Sequence, residues 1–209
     1  MTETKISSTR ERVLDTALAL FSEMGLKAVR MDDVARECGI SKRTLYELFV
    51  DREQLISECL MLRTRQDGEF HTKAKAGAEN VLHAFWLISS SNPERRGGGV
   101  VIIQELQRYY PEIFKRFVVD AHERMVVHTR AELQQGVEEG LIMPSLDLDF
   151  FSRALTNYIY GLGVIEQNTT TTGVVLRAHT IPSAILIFLR GITTEKGREY
   201  IDEKILKTL

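Results

Sequence analysis

Turn formers are scarce in this sequence: proline numbers 4 and glycine 14 among 209 residues, below their usual joint share of roughly 12%. A many-stranded barrel or sandwich needs turn signals at short intervals, so the shortage argues against one and for long helices. Cysteine is rarer still. Cys38 and Cys59 are the only two, too few for a disulfide framework and in keeping with a reducing cytosol. No apolar run approaches the ~20 residues that span a bilayer, and the opening MTETKISSTRERV is polar where a secretion signal is apolar. A cytoplasmic protein with no membrane partner is expected. Charge of one sign is missing too: the formal net charge is -2, which excludes a polycation that coats nucleic acid, though not a local basic footprint. What is present is a chain 44% hydrophobic and 27% charged, able to bury a core. The expected class is all-α.

Helix signals crowd the first third. Ser8 with Glu11 three residues later reads as a capping box. Behind it Val13, Leu14, Ala17, Leu18, Leu20 and Phe21 repeat at helical spacing up to a stop at Gly25. Asp32 and Asp33 head a second short helix, where acids suit the positive end of its dipole, and Gly39 closes it. Ser41 reads as the N-cap of a third helix, KRTLYELF. Asp51 with Gln54 is a capping box opening a long fourth helix over about 51–73. Further helical segments are expected at roughly 76–90, 98–108, 111–139, 147–167, 174–191 and 195–208. SSSNPERRGGG (89–99), NTTTTG (168–173) and the stretch from Gly140 to Ser145 read as loops. Pro111 suits a first helical turn, and Pro182 predicts a kink or break just before it.

The segment from Met31 to Phe49 carries the most information. A short helix ends at Gly39, Ile40 is an apolar plug, and Ser41 caps the next helix so that its first-turn N–H groups face outward. Lys42 and Arg43 follow with no acid before Glu47; Thr44 and Tyr46 are polar, while Leu45, Leu48 and Phe49 supply a core face. That is the pattern of a helix-turn-helix with its recognition helix. The bland alternative is an αα-corner with a solvated basic turn. Residues 1–52 hold nine Lys/Arg and nine Asp/Glu, so only a local face is basic.

The stretch RERVLDTALALFSEMGLKAVRMDDVARECGISKRTLYELFVDREQLI resembles the DNA-binding domain of TetR-family transcriptional regulators. The resemblance rests on the first-helix pattern ending in Phe21 and Gly25, Val34-Ala35, Gly39-Ile40-Ser41, Thr44-Leu45-Tyr46, Phe49 and Leu55. It implies a three-helix DNA-binding domain over 1–52 and a C-terminal helical bundle over 53–209 for effector binding and dimerisation. It also implies a homodimer on a pseudo-palindromic double-stranded operator, most often a ligand-responsive repressor and not an enzyme. Helix 41–47 would enter the major groove, with Ser41, Lys42, Arg43, Thr44 and Tyr46 at the DNA. Arg52 stands where the family often has a phosphate-binding lysine. Arg30 departs from the family's Ser or Thr cap, so either it is itself a phosphate ligand or the second helix starts less tightly.

The remaining two thirds are less explicit. Phe70, Phe85, Trp86, Phe114 and Phe117 are either ordinary bundle core or the border of a cavity for a small, largely apolar effector. Phe151, Leu155, Tyr158 and Leu162 recur at helical spacing, and Ile185 and Phe188 belong to a helix apolar on more than one side. Paired about a two-fold axis, these two helices would make a four-helix interface; the alternative is a self-contained core. No catalytic or cofactor pattern is recognisable. His122 and His128 in HERMVVH lie about 240° apart around a helix, so they cannot share a metal as HExxH does. RRGGGVV lacks the Gly-Lys-Ser/Thr of a phosphate loop. A binding module whose helix-turn-helix no longer touches DNA is the competing class.

Overall fold

The computed structural model describes residues 3–90, 99–159 and 180–208. Among them the regular structure is helical, as expected: α1 Glu3–Met24, α2 Met31–Glu37, α3 Lys42–Leu48, α4 Arg52–Ala76, α5 Val81–Ser90, α6 Gly99–Tyr109, α7 Pro111–Phe114, α8 Asp120–Glu138, α9 over 148–159, α10 Thr180–Ile192 and α11 Glu195–Tyr200. Two π-turns were not foreseen. Lys115–Val119 carries α7 into α8, and Ile201–Ile205 carries α11 into a final 3-10 turn, Leu206–Thr208. The loops expected at 89–99 and 168–173, and the second half of the helix expected at 147–167, lie wholly or mostly outside the described residues. Pro182 falls in the first turn of α10 as described, where its missing N–H is harmless.

The start of α1 corrects the capping-box reading. The helix begins at Glu3, so Ser8 and Glu11 stand inside it. No glycine or proline lies between Glu3 and Ser8, and extending an existing helix adds one hydrogen bond per residue fixed. The Asp51 box is real but reaches one residue further back: Asp51 Oδ1 accepts from the Gln54 N–H at 2.8 Å, and Gln54 Oε1 accepts from the Val50 N–H at 2.8 Å.

The chain divides into two compact units, Met1–Gly68 with Gly97–Asp120, and Glu69–Arg96 with Ala121–Leu209. The first therefore takes in more than residues 1–52. Its core joins Val13, Ala17 and Phe21 of α1 to Val34, Leu45 and Phe49, and then to Leu55, Ile56 and Cys59 of α4. Leu106 of α6 and Ile113 of α7 are buried in the same cluster. Helices α1 to α3 bury too little surface alone, and α4, α6 and α7 complete the cover.

The second unit is built around Leu82 and Phe85 of α5, Leu133 of α8, Leu155 of α9, Ile185 and Leu189 of α10, and Ile201. A backbone clasp closes it. Ile142 and Thr193 form an isolated antiparallel bridge, with the Met143 N–H donating to Ile192 O and the Thr194 N–H to Leu141 O, each at 3.0 Å. Thr194 Oγ1 donates to Gly140 O at 2.8 Å and accepts from the Gly197 N–H at 3.2 Å as the N-cap of α11. The approach is so close that a Cβ on Gly197 would collide with the Leu141 carbonyl oxygen.

Candidate nucleic-acid interface

The turn between α2 and α3 is set by its sequence. Gly39 takes φ 63°, a left-handed conformation that costs any L-residue with a Cβ. Its N–H donates to Arg36 O and the Ile40 N–H to Ala35 O, the two bonds of a Schellman cap. Ile40 packs on the core of the first unit, as its apolar character predicted. Ser41 then adopts an extended backbone and caps α3, its Oγ accepting from the Thr44 N–H at 3.0 Å and pairing with Thr44 Oγ1 at 2.8 Å. Leu45 and Phe49 are buried and Leu48 half-buried. Their burial fixes the rotation of α3 and leaves Ser41, Lys42, Arg43, Tyr46 and Glu47 exposed, with Thr44 half-buried.

Arg30 resolves the missing cap in an unforeseen way. Its side chain does not cap, but its backbone N–H donates to Asp33 Oδ2 at 2.9 Å. That bond, joined by the Arg36 guanidinium, holds the Asp33 carboxyl below its ordinary value. Half of a capping box thus survives, and Arg30 stays exposed.

Three cations of this region, Lys42, Arg43 and Arg36, have intramolecular partners. Lys42 Nζ lies 2.9 Å from an Asp32 carboxylate oxygen, which holds the lysine pKa above its usual value. Arg43 Nε meets Glu47 Oε1 at 2.9 Å, and Arg36 Nη2 meets Asp33 Oδ1 at 2.6 Å.

Arg52 has intramolecular partners that its position did not suggest. Its guanidinium donates to Leu26 O, to Val29 O at 3.0 Å and to the Tyr110 hydroxyl at 2.5 Å. Through Nη1 and Nη2 the side chain braces the turn that launches α2. Glu105 of α6 holds the same turn, accepting from the Lys27 N–H at 2.9 Å. Sequence reading also missed Arg10. It donates to both carboxylate oxygens of Glu58 and to Leu48 O, with its guanidinium 4.3 Å over the Phe49 ring. It ties α1 to the end of α3 and to α4.

The five aromatic candidates fall into different surroundings. Phe85 is buried in the second core and Trp86 is half-buried against it. Phe70 is half-buried in the same unit, its ring edge-to-face with His71, whereas Phe114 and Phe117 pack on the first core. An open depression of about 520 Å³ in the second unit includes Glu79, Glu139, Lys196 and Tyr200 and none of the five.

The dimerisation set needs a correction. Leu155 and Ile185 are buried within the protomer's own core, because a helix apolar on several sides spends one of them closing its own unit. Phe151 and Phe188 are half-buried beside them, Tyr158 stacks on Phe188 with centroids 6.0 Å apart, and Leu162 lies outside the described residues. Phe150 and Ile187 are exposed by 62% and 74%. Among the described residues no cluster of ligands for a metal is found, and no helix is long and apolar enough to cross a membrane.

A Schellman turn, a capped second helix and an outward polar face make this a helix-turn-helix protein. Residues 13–59 match the family model of bacterial regulatory proteins of the tetR family. The chain is 28% identical over 199 residues to the transcriptional repressor KstR2 of Mycobacterium tuberculosis, covering 92% of this chain and 96% of that one. It is 31% identical over 174 residues to the transcriptional regulator AcrR of Shigella flexneri, covering 77% and 79%. The solved ketosteroid transcriptional regulator KstR2 of M. tuberculosis superposes with a TM-score of 0.61 at 26% identity, over 89% of this chain and 95% of that one. The chain belongs to the tetR family and is a DNA-binding transcriptional regulator.

Proposed function

We propose that the protein represses transcription as a homodimer on a pseudo-palindromic operator and is released by a small, largely apolar molecule. The observation that carries the homodimer is the set of apolar side chains that α9 and α10 leave in water: Phe150, Ile187 and, at 37% exposure, Tyr158, which stacks on Phe188. Large apolar side chains left exposed on two helices point to an association surface. Two copies of α9 and α10 about a two-fold axis make a four-helix interface. Such a dimer reads two half-sites if its α3 helices stand about 34–36 Å apart. Arg30, Ser41, Lys42, Arg43, Thr44 and Tyr46 then meet the DNA, while Arg52 holds the turn behind them.

The repressor reading is supported by the likeness to KstR2 over nearly the whole chain. The ketosteroid in the name of that solved relative makes steroid-like compounds the first effector class to test. Phe70, Phe85 and Trp86 are the aromatic side chains of the second unit proposed to meet it. The effector acts only through unequal affinity for the two states, and moving a population from 99:1 to 1:99 takes about 5.5 kcal/mol.

The test has two parts. Purified protein is used to select DNA from a random pool, and the selected duplex is then titrated with steroid-like compounds while Trp86, the single tryptophan, is followed by fluorescence. An inverted repeat is expected, with fluorescence change and DNA release sharing one midpoint. Recovery of no sequence in common, or release at a different midpoint from the Trp86 signal, overturns the operator or the effector reading respectively.

A further inference from the structure

The recognition face is electrically balanced against itself. Between residues 30 and 47 the chain carries Arg30, Arg36, Lys42 and Arg43 against Asp32, Asp33, Glu37 and Glu47. The two cations that open α3 are both engaged: Lys42 across the helix-turn-helix with Asp32, and Arg43 one helical turn along with Glu47, each at 2.9 Å. All four side chains are more than half exposed. Exposed pairs of this kind contribute little to folding, so stability is a weak reason for their presence. Their position gives a stronger one. A phosphate that approaches either cation also approaches the carboxylate paired with it, so the contact is weakened by like charge beside the negative backbone of the duplex.

We propose that Asp32 and Glu47 are specificity-determining residues that hold Lys42 and Arg43 back from DNA of arbitrary sequence. Sequence-independent affinity comes almost entirely from cations meeting phosphates. The two carboxylates lower that term most on a duplex of arbitrary sequence, where the cations can reach only phosphate. Base-edge contacts from the α3 face are available only on the right sequence, and only there do they offset that repulsion. Discrimination rises because the wrong partner is made worse. The inference rests on the reading of α3 as the face that meets DNA.

Asp32→Asn and Glu47→Gln keep shape and hydrogen-bonding capacity while removing charge. The double variant is compared with wild type on two probes, a random-sequence duplex pool and the duplex that wild type enriches from that pool. Glu138→Gln/Glu203→Gln, with both changes in the second unit, matches the net-charge change. Random-duplex affinity is expected to rise about tenfold, with the log–log salt slope steeper by about 0.9 for each cation that gains a phosphate. Affinity for the enriched duplex should rise no more than about threefold, so the specificity ratio falls. The charge-matched control should move neither. An equal rise on both probes, no rise on the random pool, or the same rise in the control overturns the inference. The two single variants, measured alike, preserve the test if the double variant melts early. A wild type that enriches no sequence overturns the operator reading itself, whatever the variants do.

Discussion

At the scale of the residue, Arg52 ties down the turn behind the proposed interface. Its bonds to Leu26 O, Val29 O and Tyr110 fix the turn from which α2 and then α3 are aimed. Arg52→Ala should cost about 1.5–3 kcal/mol of stability by urea unfolding, the range for lost hydrogen bonds to a charged group. Its salt slope on DNA should match wild type; a slope shallower by about one, with stability unchanged, would return the residue to the phosphate contacts. Arg52→Lys should recover only part of the loss, since an ammonium cannot reproduce the fork of donors. Cys59 is the opposite case, a reactive group made inert. Burial, and then the nearby Glu58 and Asp15, push its thiol up to about 12. At pH 8 only about one Cys59 in ten thousand is thiolate, so iodoacetamide should leave its peptide unmodified in native protein and alkylate it in urea. Rapid native labelling at Cys59 would contradict that burial.

At the scale of the element, local signals were legible and distant ones were not. Gly39, Ile40, Ser41 and the apolar positions of α3 interact within a few residues of themselves, and the sequence pattern located that turn and cap correctly. Arg10 and Arg52 find partners 48 and 58 residues away, and no local spacing encodes such contacts. The Ser8–Glu11 pattern misled because the same residues are acceptable inside a helix that something upstream prolongs. On α9 and α10 the periodicity was clear, yet apolar spacing alone does not say which side closes the protomer; Leu155 and Ile185 proved to be inside. Two glycines separate kinds of constraint. Nothing lies within 4 Å of a Cβ added at Gly39, so Gly39→Ala should cost only the left-handed penalty of about 1–2 kcal/mol in a thermal melt. Gly39→Asn should lose less, because Asn tolerates that conformation. Gly197→Ala meets backbone and must shift the clasp, so it should melt well below Gly39→Ala. Equal melting of the two would mean that the clasp yields easily.

At the scale of the whole molecule, the two sides of α10 give opposite expectations for the same chemical change. Ile187→Asp puts a carboxylate on a side chain that a lone protomer leaves 74% exposed, and only dimerisation would bury that charge unpaired. Light scattering should find a folded monomer with weakened binding to an inverted repeat. Ile185→Asp, at a position 3% exposed, should unfold the second unit instead. Folded dimers from Ile187→Asp would place the subunit contact elsewhere. The clasp around Thr194 has a further consequence, for the order in which the second unit is made. Thr194 and Leu141 are 53 residues apart, and closing a loop of that length costs entropy before its contacts can offset the cost. The bridge is therefore expected to form late in folding. In the finished protein its amides can be freed only by undoing the arrangement of the helices between its ends. In hydrogen exchange, the Met143 and Thr194 N–H groups should be among the slowest in the unit, both exchanging at the rate of its global opening.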